Sequence, residues 1–386
     1  MKKLSCIGIV LMLGVGLCAA AQQPAGSNPA GPEAAPQQGE VQQTPGQQTP
    51  ELARRPVAEP PMIGMSPEGR GGMQLDVVVT DKSGVPVPGL TQQEFTVTDN
   101  GEVRPIVSFH AYAAAATAHA DGPPVETVIL LDTLNMTVLE VAQARTAIDR
   151  YLRQSGGHLA GPTSVYIFSE DGIKGQTNPT TDGNALADSV AQLSTRNRSM
   201  GRAAGGWGDT DRFNLSLKAM GMIVSNEAKR PGRKLLIWVG PGWPLMDGPN
   251  RLLSPKDKEH IFALLMSVSR ELREAQVTVY SVSIGNPDMS TMLYHGYLKG
   301  VASPKDALPS DLNTKVLAVQ SGGLVLGPDQ DLARQIGICQ QDANAYYTIT
   351  FDPTRPDKRD EFHNIQVQTD KGWLKVRTNT GYYAEP

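Results

Sequence analysis

The sequence predicts an α/β fold: a mostly parallel sheet covered by helices on both faces, with a β segment on either side of it. Three observations point there. Unbroken apolar runs such as Val128-Ile129-Leu130-Leu131 recur through the middle of the chain, as strands buried on both faces require. Between them stand helical stripes, for example Val141, Ala144, Ile148 and Tyr151. Toward both ends the pattern changes to apolar/polar alternation broken by tight turns.

The chain has 386 residues and a formal charge of -4. Residues 1–21 read as a secretory signal, with Lys2 and Lys3, an apolar core and Ala19-Ala20-Ala21 at the cleavage site. Cys18 follows the bulky Leu17, which suits a lipoprotein signal poorly. Residues 22–70 are rich in Pro, Gln, Ala and Gly, and no aromatic residue precedes Phe95. Such a stretch buries too little apolar surface to offset its ordering entropy, so a disordered linker is expected.

Residues 73–112 read as strands. Val77 and Val79 share a face, Asp81-Lys82-Ser83-Gly84 turns the chain, and Asp99-Asn100-Gly101 is a hairpin signal. Residues 123–345 carry the α/β pattern, with strands expected at 125–132, 163–169, 233–240 and 276–285. Helices are expected at 137–154, 182–194, 211–228, 257–275, 312–319 and 329–344. A short strand falls at "GGLVLG". In 346–386 alternation returns at Tyr347, Ile349 and Phe351, then at Ile365 and Val367, and at Leu374 and Val376. Each terminal β segment is too small to stand alone, so the two are expected to pair into one small β-sandwich-like domain with the α/β block inserted between them.

Several function classes find little support. There is no dense Lys/Arg block, which argues against a nucleic-acid partner. No later segment is apolar enough to cross a bilayer. With Cys6 and Cys18 in the signal, Cys339 remains, a core residue on a helix. The six histidines are scattered without zinc spacing, and surface or loop positions are expected for them. No nucleophile elbow and no P-loop occur.

The motifs "VVVTDKSGVPVPGLTQQEFTVTDNG", "VILLDTLNM", "GRKLLIWVGPGWPL", "SGGLVLGPDQDLARQI", "DANAYYTITFDP" and "VRTNTGYYAE" together resemble the acidobacterial VWFA-related family. The α/β block itself resembles a von Willebrand factor type A domain. That resemblance implies an open doubly wound sheet with one antiparallel edge strand, at 172–178. It also implies a divalent cation, Mg²⁺ or Ca²⁺, held at the strand-end rim by an Asp-x-Ser-x-Ser stretch, a loop threonine and a second acid. Here Asp132 matches the first acid and Thr210 the threonine. Leu134 and Met136 stand at the serine positions, and Gly240 and Pro241 where the second acid belongs. The cation site is therefore degenerate, with Asn135, Asp209 or Asp211 as substitutes. Helix capping by Asp132, Thr133 or Asn135 explains the same stretch without metal.

Other groups fall at the same rim. Ser169, Glu170 and Asp171 follow the second strand of the block as turn chemistry or as an acid pair. "GGWG" at 205–208 reads as a mobile loop, with Trp207 either an exposed contact or buried. Trp243 in "PGWP" is an exposed anchor or packs on the β domain. The expected function is an exported, periplasmic or extracellular, non-enzymatic module presenting Asp132, Thr133, Asn135, Ser169, Asp171, Trp207, Thr210 and Trp243 to a protein partner. Cation-dependent binding through Asp132, Thr210 and Asn135 is the alternative, and a secreted hydrolase using acids near Asp132 and Asp171 the third reading.

Overall fold

The structure is a computed structural model that describes residues 72–113, 124–176, 178–193, 206–243, 245, 253–284, 292–329 and 331–384. The chain divides into two units, Met1–Pro60 and Pro61–Pro386, and every described residue belongs to the second. The signal expected at 1–21 and the linker expected at 22–70 lie outside the described residues.

The middle of the second unit is a mostly parallel sheet. Strand β5 (Glu126–Asp132) lies between β6 (His158–Ser169) and β9 (Lys234–Val239), and β10 (Val277–Val282) and β11 (Val325–Leu326) continue the parallel order beyond β9. On the other side β7 (Gly172–Gly175) and β8 (Thr180–Asp182) run antiparallel to β6. The apolar run of β5 explains its central place. Val128 and Leu130 face one helical layer, while Ile129 and Leu131 face the other, and all four are fully buried.

The first layer holds α3 (Gly206–Glu227), α4 (Pro255–Glu274) and α5 (Thr314–Gln320), through Met220, Ile223, Leu265, Leu272 and Leu317. The second holds α1 (Val138–Leu152), α2 (Gly183–Gln192) and α6 (Leu332–Gln341). Cys339 sits in that second layer, fully buried. Helix α3 begins at Gly206, so the glycine-rich stretch read as a loop supplies its first turn. The side chain of Trp207 lies outside the described residues.

Two antiparallel sheets flank this block, and each takes strands from both ends of the unit. One has the order β14-β1-β12-β4, built from β1 (Met73–Thr80), β4 (Ile106–Ala113), β12 (Ala345–Phe351) and β14 (Lys375–Arg377). The other has the order β15-β13-β2-β3, from β2 (Phe95–Asp99), β3 (Glu102–Arg104), β13 (Phe362–Thr369) and β15 (Gly381–Tyr383). Their inward residues make one core: Leu75, Val77, Val79, Tyr347 and Ile349 from the first meet Phe95, Val97, Ile365 and Val367 from the second. The Phe95 and Tyr347 rings lie 5.1 Å apart. The β2–β3 turn is Asn100-Gly101 with φ of 50° and 86°, the two positive values that a two-residue hairpin with the sheet's own twist requires.

The β layers are tied to the α/β block by charge. Arg377 on β14 donates to Asp342 at 2.7 Å, and Tyr280 on β10 donates to the other oxygen of that carboxylate at 2.6 Å. Arg377 also donates to the carbonyl of Gly322 at 3.1 Å.

Candidate functional site

The strand-end rim centres on Asp132, the last residue of β5 and fully buried. Its carboxylate oxygens are already engaged. Oδ1 accepts from the Asn135 backbone N–H at 3.0 Å, and Oδ2 accepts from Asn135 Nδ2 at 2.9 Å and Trp238 Nε1 at 2.9 Å. Asn135 Nδ2 in turn reaches Ser216 Oγ on α3 at 3.1 Å. Burial raises the Asp132 carboxyl above the usual carboxylate range, against the pull of the Asn135 and Trp238 hydrogen bonds. Gly240 closes in from β9. A Cβ there would stand 2.9 Å from that of Asp132, and its φ of 149° is one that side chains avoid.

Asp132 does not cap the following helix. Thr137 does, accepting from the Glu140 N–H at 3.2 Å while the Glu140 carboxylate accepts from the Thr137 N–H at 2.7 Å. Thr133 is likewise committed, its hydroxyl donating to the Phe168 carbonyl at 2.7 Å. The turn 132–135 is thus a polar knot between β5 and α1, tied also to β6, β9 and α3.

Of the two expectations for Trp243, the exposed anchor is overturned by its burial. It is 1% exposed and meets Trp238 edge to face at a centroid distance of 5.3 Å. Its loop is held down by the start of α5: Lys315 Nζ donates to the Pro241 carbonyl at 2.6 Å, and Asn313 Nδ2 to the Trp243 carbonyl at 3.1 Å. Gly242, with φ of 74°, leaves room for Thr314 alone, since a Cβ would fall 2.4 Å from the Thr314 hydroxyl. The packing partner is therefore the α/β block's own helix, where the sequence offered the β domain.

The remaining rim residues scatter in environment. Ser169 is buried at the end of β6, whereas Asp171 is exposed and paired with Lys174 at 3.3 Å across the β7 hairpin. Thr210 lies half-buried just past the first turn of α3, beside an Asp209–Arg212 ion pair.

These residues do not fit a hard cation. Met136, at one expected serine position, is buried carbon and sulfur, and Leu134, at the other, packs against the core. The one acid has N–H hydrogens pointed at it where an ion would stand. Among the described residues no group of three or more His, Cys, Asp or Glu side chains is placed to share a metal.

A second buried carboxylate escaped the sequence reading. Asp99 at the end of β2 accepts from His363 Nδ1 at 2.8 Å, Tyr382 Oη at 2.9 Å and the Thr354 N–H at 2.8 Å. His363 is 1% exposed, which corrects the surface or loop position expected of it, and its buried Nε2 has no hydrogen-bond partner among the described residues. One signal was available: His363, Ile365 and Val367 have the same parity along β13, so all three face inward.

No protein-family model matches the chain, and no curated protein sequence matches it. Among solved structures, the human COPII-coat protein Sec24c is similar at 8% sequence identity and a TM-score of 0.31, over 72% of this chain and 46% of that one. This chain thus spans less than half the length of Sec24c. The likeness is weak and carries no argument, and nothing in these comparisons supports the acidobacterial family resemblance of the motifs.

Proposed function

We propose that the protein is an exported, non-enzymatic protein-binding module whose central domain is of the von Willebrand factor type A kind. The parallel order β11-β10-β9-β5-β6, with antiparallel β7 at the edge, supports the fold part of this reading. The contact surface we infer is the outer lip of the strand-end rim, in place of the engaged Asp132 carboxylate.

One observation carries it. Val138 and Leu139, the first two residues of α1, are 71% and 68% exposed, side by side just past the polar knot. Isolated exposed aliphatics are common, but an adjacent pair on a helix start fixed by a capping box is a rigid apolar projection. A protein partner would cover it, and no cation is required. Among the described residues no helix is long and apolar enough to cross a membrane.

The test is affinity capture from envelope extract with the wild type and the Val138→Asp/Leu139→Asp variant. The expected result is a protein retained by the wild type and lost by the variant, with unchanged melting and no effect of EDTA. Capture that ignores the pair, or that needs Mg²⁺ or Ca²⁺, overturns the reading.

A further inference from the structure

A groove of about 500 Å³ runs between the α/β block and the β layers. Its lining joins Val319 and residues 322–325, which end on β11, residues 365–368 of β13, and residues 376–380, which begin on β14. Successive side chains of a strand point to opposite faces, so the consecutive lining residues 365–368 show that β13 turns its edge, and so its backbone, toward the groove. The pairing agrees. Strand β11 ends the central sheet and β14 ends its own, each without a further partner strand among the described residues. Strand β13 is paired with β15 over Phe362–Asn364, and beyond that point this side of it lacks a partner strand among the described residues.

Hydrogen bonds show which backbone groups turn toward the groove. Ser281 and Ser283 of the β10 strand and its extension donate to the carbonyls of Leu324 and Leu326. Backbone polar groups alternate sides along a strand, so the N–H and C=O of Val325 point to the opposite, outer edge. On β13 the Ile365 N–H bonds Thr380, and the Asn364 carbonyl accepts from Asn100 on the other side. By the same alternation Val367 turns its N–H and C=O toward the unpaired edge. Val325 and Val367 both line the groove.

The geometry points to this groove as a docking slot for an extended polypeptide segment of a partner protein, held by strand-like backbone hydrogen bonds to Val325 and Val367. Unpaired strand edges are satisfied by another strand, which is the chemistry of β-augmentation. The lining also fixes the segment's charge. Among the described residues it contains no acidic residue and no lysine, and its one cation, Arg377, is already paired with Asp342. An uncharged segment with alternating aliphatic and hydroxyl side chains matches it, flanked by the exposed Gln366 and Gln368. This assignment rests on the protein-binding reading for the nature of the partner, and not on the Val138–Leu139 surface.

The test uses the full chain and a fluorescein-labelled decapeptide of alternating valine and threonine, followed by fluorescence anisotropy. Saturable binding is expected, weakened about tenfold by Val325→Pro, which removes the outward N–H and spares the bonds to β10. A decapeptide N-methylated on alternate residues leaves the protein untouched and should lose a similar factor. Absence of saturable binding below about 1 mM overturns the assignment. So does equal affinity for the methylated peptide, or concentration-dependent self-association that Val325→Pro abolishes, which would make a second copy the occupant. Because the peptide assay uses purified protein, its failure is distinct from a failed capture through Val138 and Leu139.

Discussion

Two buried carboxylates, Asp132 and Asp99, stand in the two parts of the molecule, and they solve the same problem differently. Asp132 takes its partners from its own turn and from the neighbouring strand: Asn135 is three residues away, and Trp238 lies on β9. Asp99 draws on Thr354, His363 and Tyr382, more than 250 residues downstream, from the other end of the folded chain. The first is a local knot between a strand and its helix. The second is a tertiary clasp that binds β2 to β13 and β15 and so joins the chain's two β segments. In both, the carboxylate is engaged by several buried donors, which makes it part of the architecture.

The clasp should be the more costly to break. Asp99→Ala would leave the His363, Tyr382 and Thr354 donors buried without their acceptor, for a loss of roughly 4 kcal/mol in urea unfolding. A loss under about 1 kcal/mol would mean that water reaches the cluster and that the contrast with Asp132 is false. Asp132→Ala should cost somewhat less, about 3 kcal/mol, since the Asn135 side chain keeps Ser216 as an acceptor while the Asn135 backbone N–H and the Trp238 indole lose theirs. This loss should be identical in EDTA and in excess Mg²⁺. A wild type stabilised by Mg²⁺ would show an ion bound at the knot and restore the cation site.

This contrast also marks how far the sequence could be read. The strand β5, the helix after it and the Asn100-Gly101 turn are legible because apolar periodicity and turn chemistry are local. The crowding of Asp132 against Trp238 and Gly240 was not legible, because it depends on the register between β5 and β9. Trp243 shows the same limit. A tryptophan between two prolines reads as an exposed anchor or as packing on the β domain, yet Asn313, Thr314 and Lys315 of the α/β block, some 70 residues on, draw its loop onto the core. His363 lay within reach, since parity along β13 places it with Ile365 and Val367, but a histidine in a polar stretch hides that pattern. Its Asp99 partner was beyond reach for the reason that makes it a clasp. Nothing nearby in the chain announces it.

The smallest expected effect is the pH dependence of the knot. Burial holds the Asp132 carboxyl above the usual carboxylate range, and the hydrogen bonds from Asn135 and Trp238 only partly offset this. The folded protein then binds the Asp132 proton more tightly than the unfolded chain does. Stability from this group is therefore fully present below the ordinary carboxylate value of about 3.9 and is lost as pH rises through the raised folded value. Asp132→Asn removes the titration and keeps the shape. Wild-type stability minus variant stability, from urea unfolding at a series of pH values, should decline from about pH 4 toward neutrality. The other buried groups titrate in both proteins and cancel in the difference. A difference that rises with pH would show that the donors hold Asp132 charged against its burial, making the knot an anion receptor by design. In that case the Trp238 and Asn135 donors, and not desolvation, would set the chemistry of the rim.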